Sequence, residues 1–144
     1  MKACGFIGQF GINMSAHMEK ILKQDFIEIA EEFDAIYVNF YGEFSNFVLK
    51  FLRKNINKRL KIIGVHGYNN IYSDSERKYL EGLYDEVIKI EEFDMNKRTN
   101  QIILKNCSQV FFFVDEDRYS DEIFALKEAR QKAGSYKNYF KYIK

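Results

Sequence analysis

Apolar residues follow two alternating rhythms along this chain. Residues 2–7, KACGFI, form a short apolar run closed by glycine; beyond it Met14, Met18, Ile21, Leu22, Phe26, Ile29, Ala30 and Phe33 recur three and four positions apart from about Ser15 onward. That order predicts a strand, a glycine-rich turn and a long amphipathic helix. The same signals then return: AIYVNF at 35–40 predicts a second strand, a helical stretch follows over 45–57, KIIGVH at 61–66 predicts a third strand, and 74–84 a helix carrying one glycine. EVIKI at 86–90 predicts a fourth strand, and the spacing of Met95, Ile102 and Ile103 a helix over 95–107. QVFFFV at 109–114 is the most continuous apolar run, as expected of a central strand covered on both faces. Ser120 is placed to cap a last helix with Ile123, Phe124, Leu126 and Ala129 on one side and Gly134 at its end, and 138–143 predicts an edge strand.

Strands alternating with helices imply right-handed crossovers, hence an α/β fold with a mostly parallel central sheet of five to six strands and helices on both faces. Ligands of such sheets bind outside the carboxyl ends of the strands, near the point where strand order reverses. The loops that matter are therefore 8–14, 41–45, 66–73 and 115–120.

Composition narrows the classes. With 144 residues, 47% hydrophobic, the chain fits one domain over 1–144 that needs no disulfide or metal to staple its core. Twenty-two basic residues against 21 acidic give no general drive toward a polyanion, so nucleic acid binding is disfavoured. No apolar run approaches the roughly 20 residues that cross a bilayer, and residues 1–10 are too short and too weakly basic for a signal peptide, so the expectation is no membrane association and a cytoplasmic location. Cys4 and Cys107 stand apart from each other and from any histidine at ligand spacing, and read as buried thiols. Fourteen Phe and ten Tyr exceed what the core requires, which points to rings at a pocket or at a homo-oligomer interface. Abundant Lys, Ile, Asn, Phe and Tyr without Pro match AT-rich coding, as in a low-GC bacterium or one of its phages.

Candidate chemistry gathers on the loops. Gly5, Gly8 and Gly11 in GFIGQFG lie between a strand and a helix, where backbone N–H groups can approach a phosphate; tight packing explains them equally well. In NFYGEFS, Gly42 and Ser45 can receive ribose or phosphate oxygens or simply form a turn and an N-cap, while Glu43 could accept from ribose hydroxyls. His66 ends a strand where a ligand could reach it, whereas His17 falls within a helix. Asp115, Glu116 and Asp117 read as a solvated acidic loop rather than a metal site, with Arg118 pairing locally. Tyr41, Phe44, Tyr68 and Tyr119 lie on the ligand-edge loops, where rings can stack on a base.

Taken in order, FIGQFG, YVNFYGEFSNFV, YDEVIKIEEF and NKRTNQIILKNCSQVFFFV resemble the SLOG superfamily over about residues 1–134. That group includes the Lonely Guy phosphoribohydrolases, the DNA-processing protein A family and many small stand-alone proteins, the last being the most similar. The most specific stretch is Lys97-Arg98-Thr99-Asn100 followed by Cys107-Ser108-Gln109, with Gln109 where Asp is usual. The resemblance implies a Rossmann-like three-layer sandwich and places Arg98 at a ligand phosphate or ribose. Two departures from the family pattern matter, the loss of a cationic pair in the pocket and the loss of the loop that serves catalysis. Gly8-Gln9-Phe10 replaces the family's Gly-His-Arg, and VDEDRYSDEIF replaces the glycine loop that leads to the catalytic Glu. Asp121 and Glu122 then occupy a helix first turn, where carboxylates suit the dipole but repel a phosphate.

The expectation is a non-catalytic binder, by sequestration or sensing, of a nucleotide-derived signal such as an ADP-ribose-type or cyclic nucleotide, with no cofactor and no metal. A phage or mobile-element protein countering host immune signalling would act this way. The ligand-binding set is Gly8, Gln9, Phe10, Gly11, Tyr41, Gly42, Glu43, Phe44, Ser45, His66, Arg98, Asn100 and Ser120. The alternative is a phosphoribohydrolase-like enzyme cleaving nucleoside monophosphates, with Glu122 as acid/base and Arg98 on the phosphate. A second alternative is single-stranded DNA binding along Lys50, Arg53, Lys54, Lys58, Arg59 and Lys61.

Overall fold

The computed structural model describes residues 2–9, 11, 13–39, 42–55, 60–67, 73–90, 95–132 and 135–142. Phe10, Tyr41, Lys58, Arg59, Tyr68 and Gly134 lie outside the described residues. The elements run β1 (Ala3–Gly8), α1 (Ala16–Glu32), β2 (Ala35–Asn39), α2 (Glu43–Asn55), β3 (Lys61–Gly67), α3 (Asp74–Glu81), β4 (Glu86–Ile90), α4 (Met95–Asn106), β5 (Gln109–Phe113), α5 (Asp121–Gln131) and β6 (Ser135–Asn138). The six strands form one sheet in the order β4-β3-β2-β1-β5-β6, with every pairing parallel. This is a Rossmann-like three-layer sandwich. No described helix is long and apolar enough to cross a membrane.

Alternation along the strands sorts the core into two layers. Cys4 and Phe6 of β1 and Phe111 and Phe113 of β5 face Met18, Leu22 and Phe26 of α1 and Val48, Leu49 and Leu52 of α2. Ile7, Val110 and Phe112 point the other way, toward Ile103 of α4 and Ala125, Leu126 and Ala129 of α5. The unbroken run of β5 is thus divided between both faces, and the strand sits between β1 and β6. Cys4 is buried and Cys107 half-buried, both as free thiols.

Four element ends differ from the periodic pattern. Helix α2 starts at Glu43, two residues before the predicted cap: Gly42 adopts φ +98°, its carbonyl accepts from Asn46 N–H at 3.1 Å, and Ser45 lies inside the first turn. Helix α3 stops at Glu81 with Gly82 as its cap, because the Tyr84 ring turns in over Gly64, where a Cβ would sit 2.9 Å from the ring. In α5 the buried stripe passes through Glu122, Ala125, Leu126 and Ala129, leaving Phe124 48% exposed, and the cap is Lys132. The edge strand β6 runs earlier than predicted and gives way to a 3-10 turn at Tyr139–Tyr142. Tyr139 leaves the strand to stack on Phe111 at 6.1 Å and to donate its hydroxyl to Asp25 at 2.7 Å.

Candidate functional site

Strand order reverses between β1 and β5, so the loops after these two strands flank the position where ligands of doubly wound sheets bind. Three carboxamide side chains close the sheet there. Asn39, at the end of β2, donates to Gly8 O at 2.9 Å and accepts from Gly8 N at 3.2 Å, pairing with β1 as another peptide unit would. Asn138, at the end of β6, does the same with Val114, donating to its carbonyl at 2.9 Å and accepting from its N–H at 3.1 Å. Between them Gln9 bridges β1 and β5. Its backbone N–H reaches Phe113 O at 3.1 Å, its Oε1 accepts from Asp115 N at 2.9 Å, and its Nε2 is shared among Asp115 O, Arg118 O and Ser120 Oγ at 3.3, 3.1 and 2.6 Å.

This stitching determines what the glycine turn offers. Both backbone groups of Gly8 are occupied by Asn39, and a Cβ on Gly8 would stand 2.7 Å from Phe44 Cβ, so this glycine serves the approach of α2 to β1. Gly11 is different. It adopts φ +84°, and the Arg118 guanidinium packs so closely that a Cβ would meet Nη2 at 2.8 Å. Arg118 is exposed and has no ion-pair partner among the described residues.

The second loop packs against the first. Glu43 accepts from Met14 N–H at 2.5 Å and pins the β1–α1 loop to the start of α2. Ser45 is fully buried and donates to Asn39 Oδ1 at 2.5 Å. Phe44 is equally buried, its ring stacked on Phe113 at 5.4 Å with 7° between planes, which makes it a core residue rather than a platform on the loop surface. Tyr119 is 85% exposed and meets Phe124 edge to face at 6.2 Å.

On the opposite face, α4 and α5 bring together residues 22 positions apart. Asn100 Nδ2 donates to Glu122 Oε2 at 3.2 Å, and Glu122 is only 3% exposed. Burial pushes its carboxyl up to about 7, against the lowering influence of the Asn100 hydrogen bond. Asn100 Oδ1 and Thr99 Oγ1 are buried nearby without a hydrogen-bond partner among the described residues, while Arg98, one position before Thr99, is exposed. The structure therefore gathers Gly8, Gln9, Ser120 and Glu43 around the strand reversal, and Asn100 with Glu122 below it.

His66 is not part of either group. It lies on β3, two strands from β1, with Nε2 3.9 Å from Glu81 Oε1. Burial pulls its imidazole below the ordinary value, and the Glu81 carboxylate opposes the shift. Ser120 occupies the cap position of α5 but makes no capping hydrogen bond. Its oxygen serves Gln9 instead.

The acidic loop is held partly by its own backbone and partly by α5. Asp115 Oδ1 accepts from Asp117 N–H at 3.0 Å, and both carboxylate oxygens of Glu116 accept from Arg130, which lowers the Glu116 carboxyl. Among the described residues, no group of three His, Cys, Asp or Glu side chains is placed to hold a metal ion. Sequence reasoning overlooked Asn39 and Asn138 and assigned Arg118 to a local pair. The available signal was an amide at the last position of both β2 and β6. No family model matches this chain, and searches of curated proteins and of solved structures returned no match.

Proposed function

We propose that this protein binds a nucleotide-derived small molecule at the carboxyl edge of its sheet, beside the β1–β5 reversal, without transforming it. The observation that carries this reading is the exposed Arg118 guanidinium lying against the left-handed Gly11 turn, at the position where such sheets receive anionic ligands. It supplies a cation where the SLOG-like pattern loses its His-Arg pair. Exposed Tyr119, one residue on, offers a ring to a base. The burial of Glu122 supports binding over hydrolysis, since a carboxyl suited to acid/base work is here turned toward Asn100.

A cytoplasmic scavenger or sensor of ADP-ribose-type or cyclic nucleotides fits this reading, as does a phage protein blunting host signalling. Self-association fits the surplus of aromatic residues. The test is incubation with nucleoside monophosphates, ADP-ribose isomers and cyclic nucleotides, followed by chromatography and mass spectrometry of the supernatant and of the heat-released fraction. A compound depleted from solution and recovered intact supports the binder; recovery as base plus sugar phosphate removes it.

One observation favours a second reading. A carboxyl near 7 at the start of α5 is suited to acid/base catalysis near neutral pH, with Arg98 on the phosphate, as in a phosphoribohydrolase. Glu122→Gln abolishes turnover under that reading and leaves binding intact under the first.

A further inference from the structure

We propose a second binding surface, a cleft of about 360 Å³ on the outside of the α1–α2 layer, that receives an acidic amphipathic helix of a partner protein. Its floor is apolar and its rim cationic. Phe47 and Phe51, one turn apart on α2, stack at 6.1 Å with 24° between planes, and both lean on Phe26 of α1 at 6.2 and 5.3 Å. Around them stand Lys23 of α1 and Lys50 and Lys54 of α2. Ile27, one turn beyond Lys23, is 61% exposed and extends the apolar strip.

The charge pattern identifies the occupant. Several cations elsewhere on the described surface are matched, Arg53 with Asp85, Lys61 with Glu86 and Lys137 with Asp25, while Lys20, Lys97, Lys105 and Arg118 stand singly rather than around an apolar floor. Lys23, Lys50 and Lys54 have no carboxylate partner among the described residues, although they crowd one cleft of a nearly neutral chain. Three like charges around an apolar floor repel one another until an anion arrives. An acidic helix provides aliphatic side chains for the floor and carboxylates for the rim. A nucleic acid strand is the weaker fit, because base stacking needs a free ring face, and these rings face each other and Phe26.

The experiment uses fluorescence anisotropy with a synthetic helix bearing leucine on one face and glutamate on the other, a scramble of the same composition, a leucine/lysine counterpart and oligothymidine. The glutamate helix is expected to bind the full chain, the scramble to bind at least about tenfold more weakly, and Lys50→Glu/Lys54→Glu to lose the glutamate helix and gain the lysine one. Both lysines are exposed, so the double variant keeps the fold. Equal binding of the scramble, no binding of either helix, or displacement of the glutamate helix by oligothymidine overturns the proposal. Arg118→Ala leaves this binding unchanged, which separates it from the nucleotide site.

Discussion

Asn100 and Glu122 form a buried amide–carboxyl pair at 3.2 Å that joins the second turn of α4 to the first turn of α5. Because Glu122 is held near 7 in the folded chain, against an ordinary 4.5, the native state binds more protons than the unfolded one between these values.

Stability contributed by Glu122 is therefore present below the unfolded value and is lost as pH rises through about 7. At roughly 1.4 kcal/mol per pH unit the loss amounts to about 3 kcal/mol at most. Glu122→Gln, which keeps the shape and the contact to Asn100, should gain on the wild type progressively from pH 5 to pH 8 in urea unfolding. His66 acts with the opposite sign, its contribution being complete above its unfolded value and lost as pH falls through its lowered folded value. The difference between wild type and Glu122→Gln cancels that background. A difference independent of pH would show that Glu122 ionises freely.

The carboxamide bridges make isosteric acids more harmful than their shape suggests. Asn39→Asp removes the donor that Gly8 O requires and buries a charge at a fully enclosed position; Gln9→Glu turns an acid toward the carbonyls of Asp115 and Arg118. Each should cost about 2–3 kcal/mol at neutral pH, measured by denaturant unfolding, with part recovered at low pH when the new carboxyl is protonated. Ser45→Ala, which loses only one of the bonds to Asn39 Oδ1, should cost about 1 kcal/mol.

Glycine replacements divide by place. Gly8→Ala drives a methyl against Phe44 and should cost about 1–3 kcal/mol of overpacking. Gly82→Ala, at ordinary helical angles with its nearest backbone oxygen 3.5 Å away, should be neutral or should stabilise by about 0.4–1 kcal/mol through the unfolded chain. Thermal melts of the two variants should shift in opposite directions, or the second not at all.

Two arginines separate the functional readings. Arg118→Ala should weaken nucleotide binding at least about tenfold while moving unfolding by less than about 0.5 kcal/mol, as its side chain is exposed. Arg98→Ala should leave that binding unchanged. Titration calorimetry with the same ligand on both variants decides: dependence on Arg98 alone would move the phosphate site to α4.

The strands and helices were legible because alternation and three-four spacing record burial directly, as in the buried Met18, Leu22, Phe26 and Ile29 of α1. Ends set by distant partners were not. Ser45 reads as a cap until Asn39 claims its hydroxyl, and Phe44 reads as a loop ring until Phe113 stacks on it. Gln9 stands out in the sequence as a missing cation, but its bridging of two loops depends on residues more than a hundred positions away. Hydrophobic rhythm carries no record of a polar side chain that substitutes for backbone.

The burial of both cysteines has a practical consequence. Enclosure drives the Cys4 thiol far above the ordinary range and pushes Cys107 up to about 12, so at neutral pH almost no thiolate is present to attack an electrophile. The native chain is therefore expected to react slowly with maleimides at neutral pH. A single cysteine introduced at position 50 or 119 would accept a fluorophore or spin label without prior removal of the native pair, so the two proposed surfaces can be watched separately in one otherwise unaltered molecule.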